Sequence, residues 1–117
     1  MYTVKARQAP AQAVQEEGAG GVCIQWLLDS TKGAPHFALR RFVLEPSGHT
    51  PWHQHPWEHE IYVLRGGGVV VTEEGETALE ADQAVLVCPD EWHNFCAGEE
   101  GLEMLCLVPL GEGTVGH

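Results

Sequence analysis

Histidines cluster in one short part of this sequence, and their spacing is typical of a metal-binding site. The chain contains seven histidines, and four of them fall within one short stretch: His49, His53, His55 and His59. His53 and His55 are two residues apart, so on a β-strand both side chains would lie on the same face. Two imidazoles on one face can direct their ring nitrogens at a single point, as metal coordination requires.

Further ligands are needed to complete such a site, and the sequence offers three candidates. Pro56 and Trp57 turn the chain, after which an antiparallel return would bring His59 or Glu60 back beside the first pair. Both faces of the following strand are apolar, so its periodicity leaves open which of the two points inward. Imidazole and carboxylate ligands both suit Mn, Fe, Ni or Zn. His93 lies far along the chain, where a turn opens onto another strand, and a barrel could bring it alongside.

Other polar residues around the cluster have simpler interpretations. We expect His49 to be exposed or to support the ligands from outside. Glu58 lies between candidate ligands and is expected to accept a hydrogen bond from an imidazole N–H. His36 and His117 are expected at the surface.

The elements that would position these residues are short strands. From Val22 onward, β-branched and aromatic runs alternate with glycine, proline and aspartate, and no helix of ordinary length is indicated. The predicted strands cover residues 22–28, 37–44, 61–64, 69–72, 77–80, 84–87, 93–96 and 102–108. This spacing predicts a small all-β sandwich or barrel. We expect a single barrel domain over residues 21–110, an N-terminal arm or edge strand over 1–20, and a flexible C-terminal tail over 111–117.

Length and charge exclude several classes of protein. The chain has 117 residues and a mass of 12.8 kDa, which suits one domain. It has 6 basic and 17 acidic residues and a formal charge of −11, which disfavours nucleic acid and anionic membranes as partners. No segment approaches the ~20 apolar residues of a membrane span and no signal peptide is evident, so we expect a cytoplasmic protein. The four cysteines form no CxxC pair and are expected to be reduced thiols.

Two stretches of the chain resemble the conserved motifs of the cupin superfamily. Residues 48–67 resemble the first motif, in which glycine precedes an HxH pair that is followed by glutamate and then glycine. Residues 82–95, which include Pro89 and His93, resemble the second motif, although Asp90 stands near the place of its usual glycine. Together the two stretches cover about half of the chain. The resemblance implies a double-stranded β-helix, the jelly-roll barrel of the cupins.

The run HQHPWEHEIYVL is similar to small single-domain bacterial cupins, among them thermophilic proteins that bind manganese through four histidines. This similarity implies ligation by His53, His55, His59 and His93, with Glu60 turned outward or supporting the ligands. Ligation by Glu60 in place of His59 is the alternative. One divalent transition metal per chain is implied, with manganese first, iron next, and zinc, nickel or copper as alternatives.

The same resemblance implies which other residues line the site. It places Arg40 rather than Arg41 inward, where the guanidinium could hold a substrate oxygen and take part in catalysis. It places Cys106 on the strand face that lines the pocket, where its thiol would lie close to the metal, open to oxidation, as a second candidate catalytic residue. The alternatives are an exposed arginine pair and a cysteine that acts only as a small buried hydrophobic residue.

These features predict a metal-binding cupin with an oxygenase-like activity on a small organic substrate, dependent on manganese or iron. Four neutral imidazoles would leave the charge of the ion uncompensated and would leave coordination positions open for substrate or dioxygen. The alternatives are a non-catalytic binding or sensor protein and a metal-dependent isomerase. We also expect a homodimer, because pairing through an N-terminal strand would cover exposed sheet edges.

Overall fold

The computed structural model describes residues 1–111 of the chain. They contain seven β-strands and two short 3₁₀ segments, joined by loops and turns. The 3₁₀ segments are Ala6–Gln8 and Ser30–Lys32. The strands are β1 (Gln12–Ala13), β2 (Gly20–Leu28), β3 (Phe37–His49), β4 (His59–Thr72), β5 (Gly75–Glu80), β6 (Ala84–Val87) and β7 (His93–Pro109). The all-β prediction is confirmed. No helix among these residues is long and apolar enough to cross a membrane.

The strands pair in antiparallel fashion in the order β1-β2-β3-β7-β4-β5, and β6 pairs with β4. Strands β3, β4 and β7 contain 13, 14 and 17 residues, so each is long enough to bend around the core. The register shifts between Leu44 and His49 on β3 and between Gly66 and Gly68 on β4. Such irregularities increase bending and twist. The sheet therefore curls into the double-stranded β-helix that the resemblance implies.

Alternation along β4 separates the core from the outer face of the barrel. His59, Ile61 and Val63 are buried, whereas Glu60 and Tyr62 between them are exposed. Hydrogen bonds on both sides hold this orientation, because β4 pairs with β6 and with β7 over the same residues. The interior face of β4 therefore begins with a histidine and continues with aliphatic residues.

In two places the structure has one continuous strand where the sequence predicts two. Residues 61–64 and 69–72 both belong to β4, and residues 93–96 and 102–108 both belong to β7. The glycines at 66–68 shift the register of β4 and do not end it. Glycine gives the backbone the freedom that both a turn and an irregular strand need. In this chain the glycine cluster marks a bend within β4 and not the end of a strand.

Several contacts join the first twenty residues to the edge of the barrel. Strand β1 pairs with β2. Gln25 on β2 is buried, and its Nε2 donates hydrogen bonds to the carbonyl oxygens of Ala6 at 2.7 Å and Ala9 at 3.0 Å. The arm is therefore held against the sheet by both backbone and side-chain contacts.

The predicted division into arm, barrel and tail stays a prediction. Strand β2 begins at Gly20 and β7 ends at Pro109, close to the proposed bounds of the barrel. Residues 112–117, which include His117 and most of the predicted tail, lie outside the described residues.

Candidate metal centre

Three separate segments bring the four predicted ligands together. His53 and His93 face each other across an isolated β-bridge, in which the two backbone N–H groups donate to the opposite carbonyl oxygens at 3.2 and 3.0 Å. His59 is the first residue of β4, and His93 is the first residue of β7. His53 and His55 lie outside any regular strand, since residues 50–58 form a loop apart from the bridge. Prolines on both sides of the pair lack the N–H groups that a strand ladder needs.

The imidazole rings of these residues form one compact cluster. One ring nitrogen each of His53, His55 and His93 lies within 4.8 Å of the other two. The His59 ring joins the cluster through His55, with ring centroids 4.3 Å apart, and it lies 5.5 Å from the His93 ring. The structure therefore brings three of the predicted ligands, His53, His55 and His93, into one group and places His59 next to it, beside His55.

The outer nitrogens of two of these rings, Nδ1, are held by backbone carbonyl groups. His55 Nδ1 lies 2.9 Å from the carbonyl oxygen of Trp57, and His93 Nδ1 lies 2.7 Å from that of Glu91. A carbonyl oxygen only accepts hydrogen bonds, so both rings donate Nδ1–H. In the neutral form each ring therefore leaves Nε2 unprotonated and able to bind a metal ion.

The other two rings have side-chain partners at Nδ1. His59 Nδ1 is 2.9 Å from Sγ of Cys106, a buried thiol on β7. His53 Nδ1 is 3.6 Å from Oε2 of Glu16, which is too long for a hydrogen bond but within reach of a favourable electrostatic interaction. All four rings thus have a partner on the Nδ1 side, which is how proteins orient histidines that bind a metal through Nε2.

The donor set fits a divalent transition metal. The Nε2 atoms of His55 and His59 are only 2.5 Å apart, and two unprotonated nitrogens this close repel each other unless a proton or a cation lies beside them. Imidazole nitrogen is a common ligand for Fe, Ni, Cu and Zn. The cluster contains only neutral donors, so an ion held there would keep nearly all of its positive charge.

Burial keeps the inner imidazoles of the cluster neutral. The pKa of His55 is lowered from 6.5 to about 4, mainly by loss of solvation; the neighbouring His93, His53 and Arg40 act in the same direction, and the Trp57 carbonyl opposes them. Burial is also the main reason that the pKa of His93 is lowered. Both rings are therefore unprotonated at neutral pH, which is the state that binds metal ions.

The metal-free protein is expected to lose stability as the pH falls from about 6.5 to about 4. In this range the unfolded chain binds a proton at His55 that the folded chain does not, so the free energy of unfolding rises with pH. The full pKa shift of His55 corresponds to about 3 kcal/mol in the free energy of unfolding. Urea unfolding at about pH 7 and about pH 4.5 measures it. His93, whose pKa is also lowered, contributes in the same direction. His55→Gln should therefore remove the part that comes from His55, and His36→Gln, at an exposed site, should keep the whole dependence. Equal pH dependence in all three proteins would contradict the assignment.

Arg40 lies inside the barrel beside the histidines, where only 1% of its surface is exposed. Its guanidinium carbon is 5.3 Å from the centroid of the Trp26 ring and 5.1 Å from that of Phe42, so two aromatic rings stabilise its charge. Its Nη2 donates a hydrogen bond to Sγ of Cys106 at 2.9 Å and lies 3.4 Å from Nδ1 of His59. A permanent positive charge is therefore buried next to the cluster.

Cys106 connects this arginine to the ligands. The residue is 2% exposed, and its sulfur contacts both Arg40 Nη2 and His59 Nδ1. Burial raises the pKa of the thiol, while the nearby guanidinium opposes the shift. Cys106 is therefore buried, as the hydrophobic interpretation requires, and it also faces the site, as the resemblance implies.

The cluster lines a cavity of about 440 Å³. Most of the cavity wall is apolar and aromatic, with contributions from Trp26, Phe42, Trp57, Ile61, Phe95 and Met104. The Trp57 indole stacks on the His55 imidazole, with centroids 4.6 Å apart and planes inclined by 5°. Among the described residues that line the cavity, Arg40 is the only arginine or lysine and Glu16 is the only carboxylate. The cavity suits a flat organic molecule with few polar groups.

The cupin domain family profile matches residues 40–108, which is more than half of the chain. The chain belongs to the cupin family. The family prediction is therefore confirmed, and the match spans the segments that carry the four histidines and Arg40. No curated protein matches this cupin.

Several solved structures are similar to this cupin. The polyketide cyclase RemF from Streptomyces resistomycificus is 33% identical to it, over 93% of this chain and 79% of RemF, with a TM-score of 0.88. A cupin-2 domain protein from Rhodospirillum rubrum is 25% identical, over 94% of this chain and 76% of that protein, with a TM-score of 0.82. A predicted oxalate decarboxylase from Thermotoga maritima is 23% identical, over 94% of this chain and 100% of that protein, with a TM-score of 0.81, and it shows a shared fold alone.

The structure orients the residues of this cupin whose direction the sequence leaves open. His59 points into the barrel, and Glu60 is exposed on the outer face of β4. Arg40 points inward, and the neighbouring Arg41 forms an ion pair with Glu103 at 3.0 Å. The exposed position of Glu60 favours four-histidine coordination over coordination by this carboxylate.

The outer supports of the ligands differ from those expected. Glu58 is exposed, and the partners at the four Nδ1 atoms are two backbone carbonyls, a thiol and Glu16. His49 is exposed as expected, with Nδ1 2.8 Å from the carbonyl oxygen of Gly18. Sequence reasoning missed Glu16, because it lies far from the histidine motif.

Proposed function

We propose that this cupin is a metal-dependent enzyme that closes a ring in a poly-β-carbonyl compound. The observation that carries this proposal is the convergence of four inward-facing imidazoles on an apolar, aromatic cavity that also contains a buried guanidinium. The similarity to RemF, a polyketide cyclase, at 33% identity over 93% of the chain supports this substrate class.

The proposed metal site contains one divalent ion, with His53, His55, His59 and His93 as the residues that would hold it. A divalent cation bound there would supply Lewis acidity, which stabilises negative charge that develops on a carbonyl oxygen. We propose manganese first, from the four-histidine resemblance, and iron next. Zinc, nickel and copper are alternatives, because they too bind imidazole ligands well.

The proposed reaction joins an α-carbon to a carbonyl carbon of the same chain. The α-carbon loses a proton, the carbonyl oxygen gains one, and water leaves as the ring becomes aromatic, so no oxidant is needed. We propose Arg40 as a catalytic residue, because its fixed positive charge lies where negative charge would develop on the substrate oxygen. We propose Cys106 as a positioning residue, because it contacts both Arg40 and His59.

The aromatic wall of the cavity has two consequences for such a substrate. Trp26, Phe42 and Phe95 offer flat apolar surfaces against which a conjugated ring system can stack. The same side chains exclude water, which strengthens the electrostatic effect of Arg40. Polar side chains at the cavity, among them Gln12, Gln15 and Gln54, could also bind hydroxyl groups, so the isomerase stays an alternative.

An oxygenase-like activity with manganese or iron is the second candidate. The neutral donor set favours it, because ligands without charge leave the ion open to bind an anionic substrate together with dioxygen. The same cavity would accept a small aromatic or enolic substrate. Oxygen consumption separates the two candidates, since ring closure requires none.

Metal-loaded protein is expected to convert a synthetic 3,5,7-trioxo ester to its phenolic product under anaerobic conditions. Arg40→Met should lower the rate about 10- to 100-fold and leave the metal content unchanged, because it removes charge stabilisation and no ligand. Arg65→Met removes the same charge from a side chain that is 79% exposed and should keep the rate. Absorbance of the product gives the rate, and elemental analysis gives the metal content.

The alternatives predict different results in the same experiment. Oxygen uptake that depends on substrate, without anaerobic product, would favour the oxygenase. Binding of the ester with neither product nor oxygen uptake would indicate a binding or sensor protein. Protein that retains no transition metal after metal-replete expression would contradict all of these functions.

The predicted homodimer stays a prediction, and its interface needs revision. The N-terminal strand that was expected to pair with a partner pairs with β2 of its own chain. An apolar groove on the outer face of the barrel, lined by Leu39, Tyr62, Leu86, Leu105 and Leu107, is the surface that we propose a second copy covers. A cytoplasmic location and the exclusion of nucleic acid and membrane partners also stay predictions.

A further inference from the structure

We infer that residues 12–18, the arm segment, belong to the metal centre. Glu16 supports His53 from outside, so metal binding and docking of the arm segment against the barrel stabilise each other. This inference rests on the proposed metal centre and extends it to a part of the chain that lies before the region matched by the cupin profile.

His53 is the least enclosed of the four ligands. The other three have relative exposures of 8% (His55), 6% (His59) and 2% (His93), and their Nδ1 partners come from strand β7 or from loops of the barrel. The His53 side chain is 36% exposed, and its Nδ1 faces Glu16 at 3.6 Å. The orientation of this one ligand therefore depends on the arm segment.

The charge of Glu16 suits the role. A carboxylate on the Nδ1 side favours the proton at Nδ1 and leaves the lone pair at Nε2, which is the tautomer that binds metal. Glu16 is also the only carboxylate among the described residues that line the cavity. Its negative charge would act across the imidazole on a cation that four neutral ligands leave uncompensated.

The arm segment is attached to the barrel by backbone hydrogen bonds and by the side chain of Val14, which packs partly buried against the core. Both residues of β1 are exposed, so their pairing with β2 buries little apolar surface. Beyond β1, the Val14 N–H donates to the carbonyl oxygen of Val22 at 2.9 Å, and the imidazole of His49 contacts the Gly18 carbonyl at 2.8 Å. Because this attachment is limited to a few residues, an interaction with the metal centre changes the docked fraction of the segment measurably.

Coupling of this kind has to be reciprocal. If the docked arm segment raises metal affinity by some factor, bound metal raises the stability of the docked arm by the same factor. Metal affinity and protection of the arm backbone are therefore two independent measurements of one interaction, and neither depends on catalytic activity.

The test compares Glu16→Gln with Glu17→Gln in the full chain, using Co²⁺ as the probe. Glu17 is adjacent and exposed, so its substitution makes the same charge change without contact to His53. Glu16→Gln should weaken Co²⁺ binding about 10-fold and alter the visible absorption spectrum of bound Co²⁺, because His53 loses its support. Glu17→Gln should stay within about twofold of the unmodified chain, with the same spectrum.

Hydrogen exchange at the Val14 amide gives the second readout. Saturating Co²⁺ should slow this exchange about 10-fold in the unmodified chain and in Glu17→Gln, and much less in Glu16→Gln. Equal Co²⁺ affinity in Glu16→Gln and the unmodified chain would overturn the inference, and so would exchange at Val14 that Co²⁺ does not slow. Either result leaves the metal centre intact, whereas failure of the unmodified chain to bind Co²⁺ would overturn both proposals.

Discussion

Replacing His93 with alanine is expected to abolish tight metal binding. His93 contributes a ring nitrogen to the most compact part of the cluster, and its N–H is already engaged with the Glu91 carbonyl. Loss of an outer partner alone weakens metal sites about 10- to 100-fold, so loss of the ligand itself should weaken binding at least about 100-fold. Stabilisation by a metal present at 100 times its Kd, about 2.7 kcal/mol, should disappear as well. Isothermal titration with Co²⁺ and metal-dependent thermal unfolding measure both effects.

Two further variants separate ligation from folding. His53→Ala changes a partly exposed residue, so it should give a similar loss of metal without removing a fully buried side chain. His36→Ala removes an exposed imidazole that lies outside both the cluster and the arm segment, and it should keep a metal-dependent shift in the unfolding temperature. A normal metal content in both His93→Ala and His53→Ala would show that the histidines do not form the site.

Gly66→Ala is expected to destabilise the barrel by at least about 4 kcal/mol. A Cβ at Gly66 would lie 2.2 Å from the carbonyl oxygen of Gly101, and φ at this position is +77°, which L-residues with a side chain rarely adopt. The obstacle is backbone, so no side-chain rotation relieves it. Since native proteins are stable by about 5–15 kcal/mol, this variant should be largely unfolded or close to it.

Gly33→Ala is the matched control for this effect. Gly33 also has a left-handed backbone, with φ of +94°, but a Cβ added there meets no atom within 4 Å. Gly33→Ala should lower the free energy of unfolding only by the cost of a left-handed backbone at alanine, about 1–2 kcal/mol. Free energies of unfolding in urea give the comparison, and Gly66→Ala no less stable than Gly33→Ala would contradict the steric argument.

Much of the fold follows from the sequence, because its alternating runs and turn residues are local signals. The bend at Gly66 does not, since glycine both ends strands and lets them bend, and only the pairing with β7 decides between these roles. The clustering of His53 and His55 indicates the metal site directly. The choice between His59 and Glu60 depends on which face of β4 meets the core, and two apolar faces hide that information.

The role of Glu16 lies beyond what sequence reasoning can reach. Its carboxylate approaches His53 only because the arm returns along β2, and that return depends on tertiary contacts of β1 and Gln25. Arg40 and Cys106 are intermediate cases. Their types suit a site, but their inward orientation is implied only by resemblance to cupins until the pairing of β3 with β7 brings them together.

The bridge between His53 and His93 implies an order of events when the chain folds. These two residues are far apart in sequence, and β7 must pair with both β3 and β4 before His93 stands beside the other histidines. Contacts between distant parts of a chain form slowly, because closing a long loop carries an entropic penalty. The nascent polypeptide therefore has no assembled set of donors to offer an ion. An ion at the proposed metal centre would therefore bind late, after β7 has joined the sheet.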